Sequence, residues 1–132
     1  MANMKDILVP LSPGELLDKI TILRIKAARM ADAGKRANVQ LELGLLEGTW
    51  RDSGCASVDV SSDERALQEV NERLWVVEDR IREKEAARAF DQEFIELARA
   101  VYVSNDERAA IKKRVNVRLG SRIVEEKSYS AY

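Results

Sequence analysis

The sequence predicts an all-α fold, a helical bundle organised around heptad-like seams. Three observations carry this expectation. Ala, Glu, Lys, Leu and Arg make up about half the chain, the bias of long helices and coiled coils. Apolar residues recur in alternating steps of three and four over three separate stretches. A Ser-x-x-Glu pattern, the mark of a capping box, occurs three times, at the expected starts of the first, third and fifth helices.

The elements follow in order. Ile7, Leu8 and Val9 form a short apolar run before Pro10 and read as a brief strand or extended lead-in. Ser12 is a good N-cap, Pro13 fits the first helical position, and Glu15 completes the box. Leu11 and Leu16 stand where a hydrophobic staple places them. Leu16, Ile20, Leu23, Ala27 and Met30 then form the first seam, with Gly34 as its stop.

A second helix is expected from near Ala37 to Trp50 on Val39, Leu43, Leu46 and Trp50. Gly44 and Gly48 weaken it, each by up to about 1 kcal/mol relative to Ala, and read as close helix packing or a frayed last turn. Residues 51–61 are small and polar and read as a flexible loop. Ser61 with Glu64 opens a third helix, whose seam is Leu67, Val70, Leu74, Val77 and Ile81, running to about Arg88.

Asp91 caps a fourth helix bearing Phe94, Leu97, Ala98 and Val101. Ser104 with Glu107 opens a fifth, ended by Gly120. Residues 121–132 form a tail that either pairs Ile123 and Val124 with Ile7–Val9 as a short strand or lies over the bundle. The expected whole is a single domain over 1–132: a long helical hairpin or coiled-coil-like core of three helices, plus a C-terminal helical pair.

Composition excludes several functions. There is no histidine, which removes Ser–His and Cys–His catalysis, His-ligated zinc and the Glu-x-x-His di-iron pattern. No metal or other cofactor is expected. The net charge of −1 argues against nucleic-acid and membrane binding. A single cysteine, Cys55, suits a reducing compartment, and no signal peptide is visible, so a cytoplasmic location is expected. Cys55 lacks an activating neighbour, and no catalytic residue is assigned.

Several stretches together resemble an uncharacterised bacterial family, a domain of unknown function. They are Ser12-Pro-Gly-Glu-Leu-Leu-Asp-Lys-Ile-Thr-Ile-Leu-Arg-Ile-Lys26, Leu74-Trp-Val-Val-Glu-Asp-Arg-Ile-Arg82, Phe94-Ile-Glu-Leu-Ala98, Asn105-Asp-Glu-Arg108 and Ile123-Val-Glu-Glu-Lys-Ser-Tyr129. The likeness covers nearly the whole chain and is weakest over 51–61. It implies the fold and the cytoplasmic placement and carries no activity or site residue.

Three constellations remain. Lys19 and Lys26 flank the first seam, and Asn71, Glu78 and Glu85 flank the third. With the first and third helices parallel, they occupy positions that pair across such an interface. They read as edge salt bridges, or else as a polar cleft for a small anion. Trp75 lies off its seam with Asp79 and Arg82 behind it, which suits packing or an aromatic platform. Arg108, Lys112 and Lys113 form a basic cluster beside Asn105, either solvated or a phosphate site at a helix start.

Two functions are therefore expected. One is a non-enzymatic protein-binding or scaffold module, in a homodimer or with a protein partner. The other is a small helical enzyme or binding protein for an anionic metabolite such as a phosphate, nucleotide sugar or dicarboxylate. The ligand candidates for the second are Lys19, Arg24, Lys26, Glu78, Arg82 and Arg108.

Overall fold

The computed structural model describes residues 4–132 and is all-helical. Four α-helices, α1 (Pro13–Arg29), α2 (Ala33–Asp52), α3 (Ser61–Ala86) and α4 (Gln92–Arg118), are joined by short turns. A single 3-10 turn, Cys55–Ser57, lies between α2 and α3.

The start of α1 forms as expected, with one change. The Ser12 hydroxyl accepts from the Glu15 N–H at 3.2 Å. The Glu15 carboxylate does not return to Ser12; it meets Lys112 of α4 at 2.7 Å. Gly14, Leu17, Asp18, Thr21 and Ile25 form one buried stripe along the helix. α2 begins earlier than the periodicity suggests. Asp32 caps it by accepting from Lys35 N–H, so Gly34 lies inside α2 and does not stop α1. Gly44 and Gly48 are not sites of close packing within the chain. A Cβ at Gly44 would meet nothing within 4 Å, and one at Gly48 only the end of Arg51.

Within 51–61, α2 continues to Asp52 and the 3-10 turn Cys55–Ser57 follows. Gly54, at φ +86°, turns the chain out of α2, and Val60 is buried in the core with Leu17, Leu67, Val70, Ile111 and Val115. Ser61 is the first residue of α3 and does not cap it. Asp59 accepts from its N–H at 3.0 Å, and Glu64 turns to Arg24.

The expected C-terminal helical pair is one continuous helix. No glycine or proline interrupts 92–118, and Ser104 is 2% exposed on the same face as Ile111 and Val115. The Ser-x-x-Glu pattern there marks an inward-facing serine in mid-helix. Gly120 ends α4 at φ +67° in a Schellman turn: Gly120 N–H donates to Val117 O and Ser121 N–H to Asn116 O. No strand occurs among the described residues. Ile7, Leu8 and Val9 have no regular structure and are exposed, and do not pair with the tail as a strand.

α3 and α4 form the long hairpin. Lys84–Asp91 lies near its turn, followed by Arg80–Glu93, Arg73–Glu107 and Asp63–Arg114. α1 packs on α2, α3 and α4, whereas α2 rests mainly on α1. α1 runs antiparallel to α4, with Gly14 N–H bonded to Asn116 Oδ1 at 2.7 Å and Asp18 to Arg108. The tail folds back along α4. Glu125 meets Lys112 at 2.8 Å, Glu126 meets Lys113 at 3.3 Å, and the Tyr132 hydroxyl donates to Asp106 at 2.5 Å. The Tyr132 ring stands edge-on to Tyr102.

Candidate functional site: a cleft between α1, α3 and α4

Burying a carboxylate is costly unless it is paired and hydrogen-bonded. Asp18 has no exposed surface, and its partners come from three helices. Arg108 Nε donates to Oδ1 at 2.9 Å, and Arg108 Nη2 donates to Oδ2 at 2.5 Å. Asn71 Nδ2 donates to Oδ1 at 2.9 Å and to Thr21 Oγ1 at 3.0 Å, while Thr21 donates to the Asp18 carbonyl at 2.8 Å. The bonds to Asp18 raise the Arg108 pKa above its ordinary value despite its burial. This network fixes the guanidinium in place. Its Nη1 donates to no side chain or backbone group among the described residues.

Beside it opens a cleft of about 470 Å³. Ile22, Ile25, Leu74 and Trp75 give it apolar walls. Glu78, Asp79, Arg82, Asn105 and Arg108 add polar groups. Such a mixture, mostly apolar with a few placed polar groups, is usual for small-molecule sites. A second, polar pocket of about 220 Å³ shares Asn105 and Arg108 with the cleft and adds Glu15, Lys112, Glu125 and Lys127. Asn105 also lines a third hollow, between α4, where Tyr102 borders it, and Tyr129 and Tyr132 of the tail.

Of the residues expected at a ligand site, Glu78, Arg82 and Arg108 meet at the cleft. The Arg82 guanidinium bonds the Glu78 carboxylate one turn away. Arg24 lies elsewhere and ties helices together, to Glu64 at 2.5 Å and Glu47 at 3.1 Å. Burial works against its charge, but these bonds outweigh it and raise its pKa. Lys19 is exposed and lies 3.8 Å from Glu15, and Lys26 joins no ion pair among the described residues. The expected lysine–carboxylate bridges between the first and third helices do not form. The polar link there is internal, through Asp18, Thr21 and Asn71, and Arg24 takes Glu64.

The basic cluster on α4 splits. Arg108 and Lys112 turn inward, whereas Lys113 pairs with Glu126 and Arg114 with Asp63. No helix begins there, so free helix N–H groups do not contribute. Trp75 is half-buried in the cleft wall.

Asp18 and Asn105 escape a reading of the sequence. The signal for Asp18 is a carboxylate between Leu17 and Thr21 on an inward stripe. For Asn105 there is none beyond its place beside Arg108.

The family model described as a family of unknown function, DUF6165, matches residues 7–132. The chain belongs to that family. The match takes in every helix, the cleft and the tail. No curated protein and no solved structure matches the chain. No helix among the described residues is long and apolar enough to cross a membrane.

Proposed function

We propose that this member of the family is a binding module for a small anionic metabolite with a planar, apolar portion, seated in the α1–α3–α4 cleft. One observation carries the reading: Arg108 is locked by a buried carboxylate yet keeps Nη1 without a protein partner at the wall of a cleft. A fixed guanidinium loses little freedom on binding an anion, and the Trp75 face and neighbouring Ile and Leu residues suit a flat apolar body. Arg82 is the mobile partner, because its bond to Glu78 is exposed and cheap to exchange. The lone free Cys55 accords with a cytoplasmic setting.

Trp75 is the natural reporter once Trp50 is replaced. In a Trp50→Phe protein, fluorescence titration with nucleoside monophosphates and aromatic carboxylates is expected to give saturable quenching with at least one class. No change at 5–10 mM of any of them (roughly the weakest binding that millimolar affinity arithmetic makes useful) rejects the reading.

A protein-binding role is the second reading, and exposed leucines favour it. Leu41 and Leu45 on α2 are 65% and 54% exposed and lie on one side of the helix with Gly44. The occupant we assign is a second copy. Sedimentation should then show a homodimer that Leu41→Glu disrupts. A monomer at high micromolar concentration removes this reading.

A further inference from the structure

We infer that the polar pocket beside the cleft is a seat for a phosphate-type anion and that Glu125 of the tail is its internal stand-in. This rests on the cleft reading and narrows it to phosphorylated planar molecules of nucleotide type.

Lys112 is the first ground. It is 8% exposed, and a buried ammonium needs anionic partners. Glu15 supplies one at 2.7 Å from the first turn of α1, a rigid element. Glu125 supplies the other at 2.8 Å from a segment without regular structure. Burial disfavours the Lys112 charge, and the bonds to Glu125 and Glu15 more than offset it.

The second ground is the company Lys112 keeps. Arg108, Lys112 and Lys127 all border this pocket of about 220 Å³. With Glu125 in place, Glu15, Asp18 and Glu125 match those three cations in number. When the tail withdraws, Lys127 leaves with Glu125, Lys112 keeps only Glu15, and the bond it made to Glu125 is open to an anionic oxygen. A carboxylate oxygen and a phosphate oxygen make the same charge-assisted bond to an ammonium.

The third ground is position. Arg108 and Asn105 border both pockets, so a ligand with its flat body against Trp75 can extend an anionic group past Arg108 to Lys112. The tail is held by groups that are simple to release. Glu125 and Glu126 are exposed, Tyr132 is exposed, and the link of Glu126 to Lys113 is a surface pair worth little. Binding of the anion therefore frees the tail, and the tail lowers the apparent affinity for the anion.

The test uses inorganic pyrophosphate, which has no planar body, followed by calorimetry and by amide NMR of the tail. Wild-type protein is expected to bind it weakly, and E125Q roughly tenfold more tightly, the scale of one charge-assisted hydrogen bond. K112M is expected to abolish binding. Tail amides from 121 to 132 should move toward disordered positions as pyrophosphate binds. Equal affinity in wild type and E125Q, or a tail that stays docked at saturation, overturns the inference. None of these readouts involves Trp75. Success here with no Trp75 response leaves the anion seat and rejects the planar-ligand cleft; the opposite pair of results does the reverse.

Discussion

Arg108 holds Asp18 from ninety residues away in the sequence, Nε to Oδ1 at 2.9 Å and Nη2 to Oδ2 at 2.5 Å. The pair closes α1 onto α4, and Asn71 joins α3 to the same carboxylate. Removing one partner strands a buried charge. Asp18→Asn is therefore expected to cost about 3 kcal/mol, at the low end for a broken buried pair because the amide keeps some bonds. Urea denaturation measures it. A loss below about 0.5 kcal/mol, the scale of a surface change, would show that the network is not what fastens these helices.

At Gly14, α1 lies tight against α4. A Cβ there would lie 2.4 Å from the Lys112 carbonyl oxygen and 2.9 Å from Asn116 Oδ1. The obstacle is backbone, so it cannot swing away. Gly14→Ala should cost about 2–3 kcal/mol, the upper range for overpacking, and should break the Gly14 N–H bond to Asn116. Thermal melting shows this as a lowered Tm. An unchanged Tm refutes the close approach.

Arg88 ends α3 in the left-handed region, at φ +54°, in a Schellman turn in which Ala89 N–H donates to Lys84 O. Glycine occupies this position without the Cβ penalty. Arg88→Gly should raise stability by about 1 kcal/mol. A variant less stable than wild type contradicts the assigned geometry.

These local features show how far the sequence reaches. The Ser12–Pro13–Glu15 start and the Gly120 stop lie within a few residues of the helix ends they govern, and both are legible. The seam Leu67, Val70, Leu74 and Val77 is legible too, and each member is buried. Ser104 and Glu107 show the weakness of the same signal. A capping pattern fits a helix start only if the chain enters in extended form, and nothing between Val101 and Ser104 forces it out of helix. The site was legible in part. Glu78, Arg82 and Arg108 come together, but the reason is tertiary: the buried Asp18, held also by Asn71, fixes Arg108 at the cleft. Lys19 and Lys26 depended on a pairing between the first and third helices whose polar link runs through other residues.

Acid should release the tail before it unfolds the bundle. The bond to Lys112 holds the Glu125 carboxyl below the usual glutamate range. A folded pKa below the unfolded one means that the attachment is complete above the ordinary carboxylate pKa. It is lost as pH falls through the lowered value. Amide exchange of residues 121–132, followed from pH 6 to pH 3, should accelerate in that acid window beyond the intrinsic pH effect. In E125Q this extra acceleration should vanish. Identical profiles for the two proteins would mean that Glu125 does not hold the tail.

The most direct test of the cleft is a comparison of wild type with Arg108→Lys, using whichever ligand quenches Trp75. Lysine keeps the charge but cannot meet Asp18 at two points and still present a third nitrogen to a ligand. Isothermal titration should show affinity lowered by roughly tenfold or more, one lost charge-assisted bond, with helicity retained by circular dichroism. Equal affinity in the two proteins would contradict the role given to Arg108 as the fixed cation of the site.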